Sequence, residues 1–293
     1  MRQTMKYFEI YFKIKETGNA SRVEDIYDLI ASAAGDAGFE AFTDADGGIK
    51  GYVRQEWFDE AALRQAIAGI PIRGLSITYS VEPADYCDWN TDCEEAGFAP
   101  VVIDGRCVIH DGRHLPAGVD GLMAVEIDAR MAFGTGTHET TRMMISALLE
   151  EEVRGMTVLD CGCGTGILGI VAAKAGASTV FAYDIDEWSA DNARHNADIN
   201  DIEEGYRVMQ GDASLLAEKD DRFDIVMANI NRNILLRDMP AFARAMRRGG
   251  RLILSGFYER DTDAIKECAS RLALTPTGTR HLGEWACTAF RKP

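Results

Sequence analysis

A glycine-rich turn in the middle of the chain carries the most specific chemical signal. The predicted strand residues 157–159 lead through Asp160 into Gly162, Gly164 and Gly166, and a helical pattern follows at once. Because glycine has no Cβ, the backbone of such a turn can pass close to a ligand. Asp184 ends the next apolar run, where a carboxylate can accept both ribose hydroxyls of an adenosine. The spacing predicts a site for an adenosine-containing ligand.

Two cofactors are compatible with this turn. Gly164, Gly166 and Gly169 also satisfy the dinucleotide pattern G-x-G-x-x-G, which keeps a nicotinamide enzyme as an alternative. The carboxylate of Asp160 would repel a pyrophosphate but attract a cationic amino acid. In addition, no recognisable set of hydride-transfer residues follows in the sequence. We therefore favour S-adenosylmethionine, with Asp160, Gly162, Gly164, Gly166, Asp184 and the adjacent Ile185 as cofactor-binding residues.

A loop rich in threonine and glycine precedes the turn at residues 131–141. Its hydroxyls and backbone N–H groups could close over the cofactor as a lid and bind the methionine carboxylate. Thr137, His138 and Thr141 are the candidate cofactor-binding residues in this loop. The alternative is a threonine N-cap that only starts the helix predicted at residues 142–150, and a structural role is also open for His138.

Two further polar positions follow predicted strands. Asn229 ends the strand at residues 223–229, and its side-chain carbonyl could orient an acceptor amine, which makes it the candidate catalytic residue. The neighbouring asparagines at 231 and 233 could instead start the next helix. Asp212 is placed to contact an adenine amino group, with a helix N-cap as an equal alternative.

The cysteines do not indicate a metal site. Cys161 and Cys163 have no second Cys or His pair nearby, so we interpret them as small packing residues. The chain has seven cysteines in all, an odd number at irregular spacing, which favours reduced thiols in a cytoplasmic protein.

Strands and helices alternate in the second part of the chain. Such alternation predicts a mainly parallel sheet with helices on both faces, and ligands then bind beyond the carboxyl ends of the strands. The strands are predicted at residues 156–160, 179–184, 206–209, 223–229, 251–255, 273–279 and 285–291. The helices are predicted at residues 166–175, 187–200, 233–246 and 261–272.

The first part of the chain has the order β-α-β-β-α-β, typical of a ferredoxin-like unit. Strands are predicted at residues 7–14, 39–43, 49–54 and 75–81, and helices at residues 23–37 and 58–67. We therefore divide the chain into a ferredoxin-like domain (1–83), an acidic linker (84–130) and a Rossmann-like α/β domain (131–293).

Charge limits the classes of partner. The chain has 31 basic and 47 acidic residues, a net charge of −16, which argues against nucleic acid and permits a basic protein. Residues 81–128 contain 11 Asp or Glu and two Arg. This segment is either a solvated connector held by a few apolar anchors or an acidic surface for a basic partner. No apolar stretch approaches the roughly 20 residues that cross a membrane, and the N-terminus does not look like a signal peptide.

The motifs together resemble a known family. FGTGTHETT (residues 133–141) followed by VLDCGCGTGIL (158–168) is similar to the bacterial methyltransferases that modify ribosomal large-subunit protein 11. Residues 88–90, 184–186, 228–230 and 255–257 fit in the same order. The resemblance implies a class I methyltransferase domain behind a ferredoxin-like domain that recognises the ribosomal protein. It also implies transfer of methyl groups from S-adenosylmethionine to lysines and the N-terminal amine, up to trimethylation, with cofactor contacts at Thr141, Gly162, Asp184 and Asn229.

Other functions remain open at this point. An amide-nitrogen methyltransferase usually carries Asn-Pro-Pro-Tyr after the fourth strand, whereas this chain has Asn229-Ile230-Asn231. A methyltransferase of small molecules would leave the N-terminal domain without an obvious purpose. A nicotinamide oxidoreductase or a non-catalytic binding module would show no methyl transfer.

Overall fold

A computed structural model of the chain describes residues 7–15, 27, 30, 34, 38–39, 41–45, 47–55, 57–68, 70, 76–84, 98–115, 117–119, 121–129 and 136–293. The chain divides into two compact units, Met1–Trp89 and Asn90–Pro293. Among the described residues, no helix is both long and apolar enough to cross a membrane.

The first unit contains a four-stranded antiparallel sheet in the order β2-β3-β1-β4. Its elements are β1 (Tyr7–Lys15), β2 (Ala41–Ala45), β3 (Gly48–Arg54), α1 (Glu60–Ala68) and β4 (Ser76–Pro83). In the helix predicted at residues 23–37, Tyr27, Ile30 and Ala34 are helical, and the other residues lie outside those described. This order confirms the ferredoxin-like prediction.

Alternation along β1 explains why this sheet has one buried face. Ile10 and Phe12 are fully buried and pack with Ile30 and with Leu63 of α1. Glu9, which precedes Ile10, binds Lys50 through a 2.8 Å ion pair on the other face. The period of two places apolar and polar side chains on opposite faces.

The second unit is built on a seven-stranded sheet in the order β10-β9-β8-β11-β12-β14-β13. Its strands are β8 (Thr157–Cys161), β9 (Thr179–Asp184), β10 (Tyr206–Gln210), β11 (Phe223–Asn229), β12 (Met246–Tyr258), β13 (Thr275–Leu282) and β14 (Trp285–Arg291). Strands β8 to β12 pair in parallel, and β14 pairs antiparallel with both β12 and β13. The mainly parallel sheet is therefore confirmed, and β12 is longer than predicted at both ends.

Helices cover both faces of this sheet. They are α2 (Glu139–Leu149), α3 (Ile167–Lys174), α4 (Glu187–Ile199), α5 (Arg232–Ala245) and α6 (Thr262–Arg271). Val158 and Ile225 pack with α2 and α3 in one core, whereas Leu159 and Val226 pack with α5 and α6 in the other. Burial on both faces explains why these central strands carry consecutive apolar residues.

Several of the described residues within 84–130 form regular structure. They form a small sheet of β5 (Val101–Ile103), β6 (Cys107–His110) and β7 (Met123–Glu126), in which β6 is the central strand. Ile109, Val125 and Ile127 are fully buried in the same core as α2 and α3. The apolar anchors of this segment were apparent in the sequence but were not predicted to form strands, and residues 85–97 lie outside those described.

Candidate active site

The glycine turn is hydrogen-bonded to the end of the neighbouring parallel strand. Gly162 and Cys163 both donate their backbone N–H to the carbonyl of Tyr183, at 2.8 and 3.0 Å. Gly164 donates its backbone N–H to Oδ2 of Asp184 at 2.8 Å. The parallel pairing of β8 with β9 thus holds the turn beside the carboxylate that the spacing predicted to bind a ribose.

Two glycines of the turn leave no room for a side chain. Gly162 has a φ of +66°, and a Cβ there would lie 2.4 Å from Cγ2 of Ile230. Gly166 has a φ of +79°, and its Cβ would lie 2.7 Å from the hydroxyl oxygen of Tyr206. Only glycine combines this backbone conformation with such close contacts.

Asp160 is a buried acid below the turn. Its Oδ2 accepts the backbone N–H of Gly169 at 2.9 Å, and among the described residues its buried Oδ1 has no hydrogen-bond partner. Burial raises the pKa of Asp160 to about 7, with the nearby Asp184 adding to the increase. A buried carboxyl with a free oxygen fits a cationic ligand, because a positive charge would favour its ionised form.

Asp184 is half-buried at the end of β9, and burial raises its pKa. Its Oδ1 accepts the backbone N–H of Asp186 at 3.1 Å. The next side chain, Ile185, is 73% exposed and offers an apolar surface beside the carboxylate. Asp212 is exposed, and its Oδ1 accepts the N–H of Ser214 at 2.9 Å, so it caps a short 3₁₀ helix. Its contact with an adenine stays a prediction.

Asn229 and Thr141 meet at the carboxyl end of β11. The Nδ2 of Asn229 donates to Oγ1 of Thr141 at 3.3 Å, and Thr141 is almost fully buried in the first turn of α2. This contact orients the carboxamide of Asn229. Asn231 has a different role: its Oδ1 accepts the N–H of Asn233 and caps α5.

The loop residues before α2 are only partly described, because residues 130–135 lie outside the described ranges. His138 caps α2, and its Nδ1 accepts the N–H of Thr140 at 3.2 Å. Thr137 is exposed. The N-cap of α2 is therefore His138 and not a threonine, which gives His138 a structural role, and the cofactor contacts of Thr137 and His138 stay predictions.

Sequence reasoning missed an aromatic row that begins at the carboxyl end of β12. Tyr258 and Trp285 stack with ring centroids 4.3 Å apart, and His138 meets Trp285 edge-on at 4.9 Å. Tyr258 ends β12, and Trp285 begins the antiparallel β14 opposite it. The direction of the last strand could have indicated this row. An antiparallel strand begins where its parallel neighbours end, which places Trp285 at the same edge of the sheet as the carboxyl ends of those neighbours.

Comparisons with known proteins decide the family. A family profile described as ribosomal protein L11 methyltransferase (PrmA) matches residues 21–293. The chain belongs to this family. A protein of that name from Phocaeicola vulgatus is 40% identical over 98% of this chain and 99% of its own length. Another from Porphyromonas gingivalis is 41% identical over 98% of each chain.

A solved structure agrees with this assignment. The crystal structure of ribosomal protein L11 methylase from Lactobacillus delbrueckii subsp. bulgaricus has a TM-score of 0.60 and 29% identity, and covers 67% of this chain and 100% of its own. The second unit is thus a class I methyltransferase domain, and the cofactor is S-adenosylmethionine.

The residues in and beside the turn fit this cofactor. The unpartnered oxygen of Asp160 suits a cationic group, Asp184 offers acceptors for ribose hydroxyls, and the turn at Gly162 admits no side chain. Within the described ranges, no group of three or more His, Cys, Asp or Glu residues could hold a metal ion.

Proposed function

We propose that the chain methylates lysine side chains and the N-terminal amine of ribosomal protein L11, up to the trimethyl state. The observation that carries the proposal is the extent of the relationship. Relatives named ribosomal protein L11 methyltransferase align with 98% of the chain, so the N-terminal unit is included as well as the methyltransferase domain.

The acceptor must be a neutral amine. A free lysine has a pKa of about 10.4, and burial in the site beside a positive charge would lower it. When bound, S-adenosylmethionine supplies an electrophilic methyl group and a positive sulfonium. No strong base is required of the protein, and most of the rate enhancement comes from positioning.

Asn229 is the residue we assign to that positioning. Its Nδ2 is engaged by Thr141, which leaves the carbonyl oxygen as the acceptor for an amine N–H. An amine held in this way keeps its lone pair free for attack, because its N–H group and not its lone pair makes the hydrogen bond. The backbone carbonyl of Ile230, next in the chain, is a second acceptor close to the same strand end.

The aromatic row of Tyr258, Trp285 and His138 supports an amine as the acceptor. Aromatic faces attract ammonium groups and accommodate their methyl groups. An amine that undergoes several rounds of transfer becomes bulkier and more apolar each time. A stacked aromatic wall favours such a group over the planar amide of an asparagine or glutamine.

The N-terminal domain, which we place at residues 1–83, is proposed to recognise the ribosomal protein. A net charge of −16 would attract a basic substrate over a long range and speed its association. With this substrate, we place the enzyme in the cytoplasm.

The test is to incubate the chain with radiolabelled S-adenosylmethionine and the separated ribosomal proteins. We expect label in L11, and peptide mapping should place it on lysines and the N-terminal amine. L11 with acetylated amines serves as the control and should take up no label. Label in another protein, in acetylated L11 or only in small molecules would refute the proposed substrate.

A further inference from the structure

Three buried asparagines form a stripe along α4. Asn192, Asn196 and Asn200 are spaced by four residues, which places them on one side of the helix and its C-terminal cap. They are 4%, 0% and 6% exposed. Burying a carboxamide is costly unless its polar atoms are hydrogen-bonded, so this asparagine stripe requires partners inside the protein.

The asparagine stripe binds the extended segment that follows β7. Asn200 accepts the backbone N–H of Glu126 at 3.0 Å and donates to the carbonyl of the same residue at 2.6 Å. Asn196 accepts the N–H of Asp128 at 2.9 Å, and Asn192 donates to the carbonyl of Asp128 at 2.8 Å. The carboxamides thus take the place of a neighbouring strand along one edge of residues 126–128.

The opposite edge of this segment faces β6. The intervening residue, Ile127, donates its N–H to the carbonyl of His110 at 2.8 Å. Alternate residues of an extended chain present their backbone groups to opposite sides. Residues 126–128 are therefore held between a strand and a helix, with asparagine side chains supplying the bonds on the helix side.

Asn196 differs from the other two asparagines in a second contact. Its Nδ2 donates to the backbone carbonyl of Thr165 at 2.9 Å. Thr165 is fully buried and lies between Gly164 and Gly166 of the cofactor turn. One carboxamide therefore joins the turn to the segment at Asp128, whereas neither Asn192 nor Asn200 is hydrogen-bonded to the turn.

We propose that Asn196 is a positioning residue for S-adenosylmethionine, holding the Thr165 peptide so that the glycine turn keeps its binding conformation before the cofactor arrives. The turn needs such support because glycine residues lose more conformational freedom on ordering than others. A turn that is already ordered binds its ligand with a smaller entropic cost. This inference concerns the cofactor alone and is independent of which amine is methylated.

Alanine variants of the three asparagines in the full-length chain test the proposal. Each variant loses bonds to residues 126–128, so we expect all three to lower the melting temperature. Only Asn196→Ala also loses the bond to Thr165, and it should weaken S-adenosylmethionine binding about fivefold, as expected for one net hydrogen bond. Asn192→Ala and Asn200→Ala are the matched controls and should stay within about twofold of the unmodified chain.

Titration calorimetry with S-adenosylmethionine gives these affinities without any methyl acceptor, so a wrong acceptor assignment would not affect the result. Unchanged affinity in Asn196→Ala would overturn the proposal. An equal loss in Asn200→Ala would overturn it too, because the effect would then come from the segment and not from the turn.

Amide hydrogen exchange on the unmodified chain provides a second test that does not depend on the variants folding. When S-adenosylmethionine is added, the amide of Asp128, which is bonded to Asn196, should gain more protection than the amide of Glu126, which is bonded to Asn200. Equal gains at the two amides, or no gain at Asp128, would contradict a link through Asn196.

Discussion

The cofactor side and the acceptor side of this site are built in different ways. On the cofactor side, the turn from Gly162 to Gly166 is one stretch of chain whose backbone N–H groups bind the end of β9. On the proposed acceptor side, Asn229 of β11 meets Thr141 of α2, and Trp285 of β14 meets His138 at the start of α2, both through side chains. The first depends on the pairing of two strands, and the second on how a helix and the last strand pack.

This difference suggests a division of effects. The backbone hydrogen bonds between the turn and β9 should remain in most side-chain variants. A variant on the cofactor side therefore loses only its own contact with S-adenosylmethionine, and we expect a lower affinity for the cofactor. Variants on the acceptor side should change the rate of transfer or the binding of the amine, because they disturb orientation.

The largest effect is expected for Asn229→Ala. Loss of the oriented carboxamide should lower kcat about a hundredfold, with a much smaller change in the dissociation constant of S-adenosylmethionine. Single-turnover assays and calorimetry measure the two quantities. Asn231→Ala is the matched control, since it removes the cap of α5 and should cost about 1 kcal/mol of stability without a comparable loss of rate. Similar losses of rate and affinity in Asn229→Ala would remove the distinction between the two sides.

Asp184→Ala should come next, acting on affinity. It removes the proposed acceptor for the ribose and releases the N–H of Gly164, so we expect binding of S-adenosylmethionine to weaken about tenfold to a hundredfold. Asp186→Ala is the control, because Asp186 only caps α4 through Ser189 and should affect stability. Unchanged binding of the cofactor by Asp184→Ala would refute the ribose assignment.

Trp285→Leu tests whether the aromatic row contributes to binding of the acceptor. Removing the central ring of the aromatic row should raise the KM for the protein substrate about fivefold, the value of one cation–π contact, and leave cofactor affinity unchanged. Tyr258→Phe keeps the stacked ring and serves as the control. If the KM of Trp285→Leu matched that of the unmodified enzyme, the row would have only a packing role.

The smallest effect concerns pH. The pKa of Asp160 is raised to about 7 by burial, so the folded protein without cofactor retains a proton that the unfolded chain releases. Its contribution to stability is present below the ordinary pKa near 3.8 and declines as pH rises towards 7.

A cationic cofactor favours the ionised form of this carboxyl. Its affinity should therefore rise about threefold between pH values of about 6.5 and 7.5, with release of a proton. Calorimetry in two buffers measures that proton. Asp160→Asn is the control because it removes the protein's titration and leaves that of the ligand, and an identical pH profile in this variant would exclude Asp160 as the responsible group.

The local sequence pattern was sufficient to predict most of the strands and helices. The predicted strands at residues 179–184, 223–229 and 285–291 have the observed bounds, and the split order of the first unit is confirmed. These elements could be predicted because each has a long apolar run or a regular period that needs no knowledge of its neighbours. The small sheet of β5 to β7 could not be predicted in this way, because its strands have only three or four residues. Their apolar side chains are recognisable as one buried face only once they are seen to pack with α2 and α3.

The sequence by itself determined the glycine turn and the acid at the end of β9, because adjacent parallel strands bring the ends of consecutive motifs together. Only the tertiary structure decided that Thr141 meets Asn229, that Trp285 stacks on Tyr258 and that Asn196 joins the turn to Asp128. These contacts join residues far apart in sequence. They depend on side-chain packing between elements, and hydrophobic periodicity indicates which face of an element is buried but not which residues it will meet.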